Sequence, residues 1–281
     1  MQCVSPIDLK NPRKIADSKV ISVPCGKCGA CLKNRRNSWT FRLKEEFRKA
    51  KSAWFLTLTY DDDHMEWSDQ GFMTVRKRTL QLFMKKLRFH QSKINNVKIR
   101  YYGVGEYGTK TDRPHYHLLV FNVDKTLVRK MADIWGKGQI SVGSVNDASI
   151  HYVTKYHVNI HDHPEMDGMR EKEFSIMSRK PGIGFSYVAR TRAWHENQSR
   201  GYVVNNGFKQ AMPQYYKDKI FSRGRRLGIT QRFMKEADKK HVQRVLYMLS
   251  LNNPNPEFDL EIRAIVKAYL YKKKANDKDV L

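Results

Sequence analysis

The order of the apolar runs constrains this chain most. Residues 54–60 (WFLTLTY) are aromatic and β-branched, the composition that a pleated, half-buried surface selects. Residues 79–90 (TLQLFMKKLRFH) then place Leu80, Phe83, Met84 and Leu87 on one helical stripe. Two more strand-like runs follow, 97–107 (VKIRYYGVGEY) and 115–121 (HYHLLVF), with Gly108, Asp112 and Pro114 as turn formers between them. Leu127, Val128, Met131 and Trp135 make a helical face within 125–135, residues 139–145 (QISVGSV) read as a strand, and 148–159 (ASIHYVTKYHVN) as a helix. The order β, α, β, β, α, β, α predicts an α+β, ferredoxin-like fold: a split βαβ antiparallel sheet with flanking helices.

Outside that core the signals thin. Residues 1–37 read as an irregular, Cys-bearing segment packed on the core, and Trp39, Leu43 and Phe47 recur at helical spacing over 38–51. Past 166 the periodicity weakens, until a basic stretch at 221–228 (FSRGRRLG) precedes helices over 230–250 and about 257–274. The expected organisation is a leading segment 1–37, a central domain 38–200, and a basic, mainly helical region 201–281.

Lys and Arg number 53 against 28 Asp and Glu, a net charge of +25, while 40% hydrophobic residues suffice for a core. A folded polycation takes a polyanion as partner, and nucleic acid is the expected one. Candidate phosphate contacts are Arg35 and Arg36 in KNRR, Arg76, Lys77 and Arg78 in RKR, Arg113, and Arg223, Arg225 and Arg226 in FSRGRR. YKKK (271–274) is a further basic run, and Tyr215, Tyr216 and Phe221 lie among these runs as stacking candidates. No apolar run approaches the ~18–20 residues of a membrane span, so no membrane partner is expected. The first residues lack the apolar core of a secretory signal, and four cysteines suit a reducing cytoplasm. No G-x-x-x-x-G-K-[ST] loop is present in the sequence, which argues against an ATP motor.

In a strand, residues two apart share a face, so His115 and His117 project together while Tyr116 points away. If 97–107 and 115–121 form a hairpin pairing 106 with 115, Glu106 stands beside His115 on that face, with Cβ atoms ~4.5–5.5 Å apart. Two imidazoles and a carboxylate with open positions suit a divalent ion acting as a Lewis acid. His161 and His163 repeat the His-x-His spacing in a loop with Pro and Gly, where no alternation aims them, and are expected to be surface residues. Thr57 and Thr59 are expected only to support the sheet.

Tyr152 and Tyr156 are four apart in a helix and share a face, with Lys155 beside them. A phenol titrates near 10, so a phenolate nucleophile at pH 7 carries a penalty of about 4 kcal/mol. A cation or a polarised phosphate offsets part of it. Aromatic residues at this spacing also pack cores, and the metal constellation upstream is what favours chemistry.

FLTLTY (55–60), RPHYHLLVF (113–121) and YVTKY (152–156), in that order, resemble the three signature motifs of the HUH replication-initiation endonucleases. The Tyr-x-x-x-Tyr form is similar to that of two-tyrosine initiators of small single-stranded DNA phages. CGKCGACLKNRR (25–36), GEYG (105–108) and MSRKPGIG (177–184) narrow the likeness to gokushovirus-like microviruses. The motif-bearing likeness covers roughly residues 1–190. It implies rolling-circle replication in the cytoplasm of a bacterial host: metal-dependent nicking and rejoining of single-stranded origin DNA through a covalent 5′-phosphotyrosine. In that reading Glu106, His115 and His117 hold Mg²⁺ or Mn²⁺, Tyr152 and Tyr156 alternate as nucleophiles, and Lys155 orients the phosphate. A host polymerase and helicase complete the cycle. His157, directly after Tyr156, has no role assigned by the motif.

Cys25, Cys28 and Cys31 fall as C-x₂-C-x₂-C with Cys3 upstream, compatible with a closed zinc site, with free reduced thiols, or with redox or iron–sulfur chemistry. A rival class for the whole chain is a non-catalytic RNA- or DNA-binding protein with an RRM-like sheet. Tyr101, Tyr102 and Tyr116 would stack bases there, although no RNP1-like run is present in the sequence.

Overall fold

The structure, a computed structural model, describes residues 3–10, 20–108, 110–155, 166, 168–251 and 255–277. In chain order its elements are β1 (Ile7–Lys10), β2 (Val20–Val23), α1 (Gly29–Phe47), β3 (Ala53–Thr59), α2 (Lys77–Ser92), β4 (Arg100–Tyr107), β5 (Pro114–Phe121), α3 (Lys125–Val128), α4 (Met131–Trp135), β6 (Ile140–Ser144), α5 (Asp147–Lys155), β7 (Phe174–Met177), α6 (Ser186–Asn197), β8 (Tyr202–Asn205), β9 (Phe208–Ala211), α7 (Gln214–Ile220), α8 (Arg223–Ser250) and α9 (Pro256–Asp277). They fall into two units, Thr40–Ala189 and Met1–Trp39 with Arg190–Asp279.

The first unit holds an antiparallel sheet of order β6-β3-β5-β4-β7. Its first four strands are the split βαβ arrangement that the order of runs predicts: β5 lies between β3 and β4, and β3 between β5 and β6. β7 extends the sheet beyond β4, pairing Gly103 with Ile176.

Strand alternation divides the sheet into two working faces. Leu56, Leu58, Tyr60, Tyr101, Tyr107, Tyr116, Leu118 and Val120 join one buried cluster. The stripe Leu80, Phe83, Met84 and Leu87 of α2 closes it, with Met131, Ile134 and Trp135 of α4. Each buried aliphatic side chain here contributes roughly 1.5–3 kcal/mol. The single helix expected over 125–135 is broken into α3 and α4. Asp124 caps α3 by accepting from the Thr126 N–H, and Gly136, at φ 57°, ends α4 in the left-handed conformation. The opposite face carries Phe55 and Thr57 from β3, Tyr102, Val104 and Glu106 from β4, and His115 and His117 from β5. α5 packs near it, and the part of α1 from Thr40 onward meets α5 through a 3.1 Å contact between the Thr40 and Thr154 hydroxyls.

Two sequence readings need correction. The helix expected over 38–51 begins at Gly29, so the KNRR run lies on α1 and not in an irregular segment. The helix expected from 230 begins at Arg223, where the Ser222 hydroxyl accepts the Arg225 N–H. The rival stacking platform fails as well: Tyr101, Tyr102 and Tyr116 are all buried, which removes the ring faces that bases would need. No helix among the described residues is long and apolar enough to cross a membrane.

Candidate active site

β4 and β5 pair in the expected register, with Glu106 opposite His115 and Val104 opposite His117. Glu106 Oε1 lies 2.8 Å from His115 Nε2 and 2.7 Å from His117 Nε2. Glu106 and His117 are buried and His115 is half-buried, and one donor atom from each of the three falls within 4.8 Å of the others.

Burial and pairing pull these groups in different directions. Desolvation disfavours the Glu106 carboxylate, but hydrogen bonds and charge from His115 and His117 prevail and hold its pKa below the usual carboxylate value. Burial also opposes the His115 imidazolium, yet the hydrogen bond and charge of Glu106 raise its pKa. For the more deeply buried His117, desolvation wins over Glu106, aided by the charges of His115 and Lys155, and its pKa is lowered. His117 is thereby kept in the neutral form that offers a ring lone pair.

Outer contacts fix both rings. His115 Nδ1 stands 3.1 Å from the carbonyl of Arg113, which can only accept. Nδ1 therefore keeps its proton, and Nε2 is the atom left for an ion. His117 Nδ1 lies 2.9 Å from the Thr57 hydroxyl, its cross-strand neighbour. The ring of Phe55 stacks on His117 at 5.5 Å between centroids and 10° between planes. Thr57, expected only to support the sheet, thus touches a candidate ligand, whereas Thr59 donates to the Gln139 carbonyl at 3.3 Å as a sheet residue would. Phe55 is a site residue that sequence reasoning misses. The signal for both residues is the alternation of 55, 57 and 59, once β3 is laid antiparallel against β5.

α5 aims Tyr152 at this cluster. Its hydroxyl is 3.2 Å from His117 Nε2, and its ring stands edge-on to His117 at 4.8 Å and 83° and to Phe55 at 5.9 Å and 73°. Lys155 Nζ lies 4.2 Å from the centroid of the Tyr152 ring. Ile150, Val153 and Thr154 are buried and anchor the helix, while Tyr152 keeps 37% of its surface open to a substrate. Tyr156, His157, His161 and His163 lie outside the described residues.

The other predicted residues sort by their partners. Arg76 pairs with Glu66 at 3.0 Å, Arg113 with Asp62 at 2.7 Å, and Arg226 with Asp218. Arg36 Nη1 reaches the Tyr271 hydroxyl at 3.5 Å. Arg35, Lys77, Arg78, Arg223 and Arg225 are exposed. Of the stacking candidates, Tyr216 and Phe221 are buried. Cys3, Cys25, Cys28 and Cys31 converge as a second group of possible metal donors.

The family of replication-associated protein ORF2 matches residues 53–160, which span β3 through α5. Replication-associated protein VP4 of Bdellovibrio phage phiMH2K is 31% identical over 250 residues, covering 78% of this chain and 76% of the relative. Replication-associated protein ORF2 of Spiroplasma virus 4 is 27% identical over 252 residues, with coverage of 80% and 76%. Replication-associated protein ORF4 of Chlamydia phage 1 is 28% identical over 221 residues, covering 70% of this chain and 53% of the relative. No solved structure matches.

Proposed function

Because the chain belongs to the replication-associated proteins of gokushovirus-like microviruses, we propose that it initiates replication of a phage genome as an HUH-type endonuclease. It nicks and rejoins single-stranded origin DNA in the cytoplasm of the bacterial host. The observation that carries this reading is the Tyr152 hydroxyl, 3.2 Å from His117 Nε2 in a cluster with Glu106 and His115.

The donor set fits a divalent ion. One carboxylate oxygen and two imidazole nitrogens converge from one sheet face, both rings are braced by outer hydrogen bonds, and Glu106 is held ionised. Glu106, His115 and His117 would hold Mg²⁺ or Mn²⁺, which when bound supplies Lewis-acid polarisation of a phosphate oxygen.

The chain's own residues do the rest. The Tyr152 oxygen forms a bond to the phosphorus of the scissile diester, the bond from phosphorus to the 3′ oxygen breaks, and a 3′ hydroxyl is freed as the phenol gives up its proton. The product keeps the energy of the diester in a 5′-phosphotyrosine, so the join is reversible. Lys155, already against the Tyr152 ring, places positive charge where the phenolate develops and offsets part of its ~4 kcal/mol penalty. Tyr156, four residues on, is the second nucleophile and attacks the regenerated site while Tyr152 holds the first end. The freed 3′ hydroxyl primes a host polymerase, and a host helicase unwinds ahead of it. In this reading residues 38–200 carry the nicking chemistry and 201–281 add basic contacts to DNA.

The test uses 3′-end-labelled oligonucleotides tiling the single-stranded phage genome, incubated with the protein and Mn²⁺. Label should migrate with the protein on a denaturing gel, vanish with EDTA, and vanish in the Tyr152→Phe, Tyr156→Phe double variant. An adduct that survives in the double variant overturns the assignment of nucleophiles.

A further inference from the structure

The nicking chemistry leaves the cysteines unused, and their geometry is specific. The Sγ atoms of Cys3 and Cys25 are 3.6 Å apart, those of Cys3 and Cys28 3.8 Å, and those of Cys25 and Cys31 4.0 Å. All four fall within 4.8 Å of one another. A disulfide needs ~2.05 Å, so these are four thiols and not two bridges. A tetrahedral ion with metal–sulfur bonds of ~2.3 Å spaces its ligands by roughly 3.8 Å. The measured separations bracket that edge. An iron–sulfur cluster, whose thiolates sit on separate irons, would hold them farther apart.

The backbone is shaped for the same purpose. Cys25-Gly26-Lys27-Cys28 forms a tight turn in which Gly26 takes φ +75°, a conformation that side chains rarely adopt. The Cys28 N–H donates to the Cys25 sulfur at 3.3 Å, and the Cys25 N–H to the Cys3 sulfur at 3.3 Å. Such bonds stabilise thiolates and not thiols. The Cys28 carbonyl accepts the Leu32 N–H at 3.0 Å, so the turn leads directly into α1, and Cys31 lies buried in the first turn of that helix. A four-thiolate zinc complex carries two negative charges. Lys27 lies within the turn, and the Arg35 guanidinium lies over it, 3.7 Å from where a side chain at Gly26 would begin.

We propose that Cys3, Cys25, Cys28 and Cys31 form a closed, structural zinc site that fastens the chain before β1 and the turn after β2 to the start of α1. All four coordination positions are filled by protein, which leaves none for substrate and assigns the site to folding and not to nicking. It also fixes the first turns of the helix that presents Arg35 and Arg36.

The full chain, purified without added metal, should contain one zinc per molecule by elemental analysis. A mercurial that captures thiolates should release it stoichiometrically, and cobalt exchanged into the site should show the visible d–d bands of a tetrahedral thiolate complex. Cys28→Ser and Cys31→Ser should each lose most of the zinc, whereas His115→Ala should retain it, which separates this site from the nicking centre. Should the cysteine variants fail to fold, the native chain still decides. Removal of zinc by a strong chelator should lower its melting temperature by several degrees, restored by Zn²⁺ but not by Mg²⁺ or Mn²⁺. Zinc below a tenth of an equivalent, with four thiols reacting at once in the folded chain, overturns the proposal, as does an equivalent of iron in place of zinc.

Discussion

The Thr57 hydroxyl sits behind the candidate ion-binding face, bonded to the ring nitrogen of His117 that points away from Glu106. A ligand's second nitrogen sets its tautomer and orientation, so the hydroxyl acts on the ion through His117. Replacing it with a methyl of nearly the same volume keeps the β3–β5 packing and removes only the polar contact. Thr57→Val is therefore expected to weaken Mn²⁺ binding roughly 10–100-fold, with little change in melting temperature, as measured by calorimetric titration. Unchanged affinity would return Thr57 to a purely structural role. Glu106 and the histidine pair are legible in the sequence because both strands alternate and a hairpin register is arithmetic. Thr57 and Phe55 are not, because their place beside His117 depends on β3 lying next to β5, and a long stretch of chain separates Thr57 from His117.

Elements differ in how much of their own structure they encode. β3, α2 and β5 bury a full face each, so composition and period carry them. β7 is four residues long at the sheet edge, and only its pairing with β4 makes it a strand, which no local pattern announces. The start of α8 contains Gly224 and Gly228, each costing about 1 kcal/mol in a helix, and these hide the cap that Ser222 supplies. α6 carries a testable consequence of burial. His195 is fully buried, with Nδ1 2.8 Å from the Arg200 carbonyl and its ring against Trp194. Desolvation, helped by the Arg200 charge, lowers its pKa against the opposing hydrogen bond. A histidine depressed in this way stays neutral where the unfolded chain already binds a proton. Its contribution to stability is thus intact above about pH 6.5 and is lost as pH falls through the folded value. Hydrogen-exchange protection of α6 amides should drop between pH 7 and pH 5. His195→Asn, which keeps a donor for Arg200 but cannot titrate, should flatten that dependence even if it lowers the starting protection. A slope unchanged in the variant would place the titrating group elsewhere.

At the scale of the whole molecule the governing quantity is the +25 charge, and the structure shows that its carriers are not equivalent. Arg76, Arg113 and Arg226 are engaged by Glu66, Asp62 and Asp218, and Arg76 and Arg113 also donate to the carbonyls of Trp67 and Tyr60. Such arginines hold loops and helices in place before they meet any phosphate. Lys77, Arg78, Arg223 and Arg225 are exposed instead, and are the stronger candidates for displacing counterions from DNA. Binding to single-stranded DNA should weaken along a straight line of log affinity against log salt, with each phosphate contact contributing about 0.7 to the slope. Changing those four exposed residues to Gln should flatten the line by about 3 when anisotropy is followed from about 50 to 200 mM NaCl. The Arg76→Gln, Arg113→Gln and Arg226→Gln set should change the slope less per residue, and should lower thermal stability where the exposed set does not. Parallel salt lines for the exposed set and the native chain would mean that phosphates are met by other cations, and the division between structural and DNA-facing arginines drawn from their ion pairs would fail.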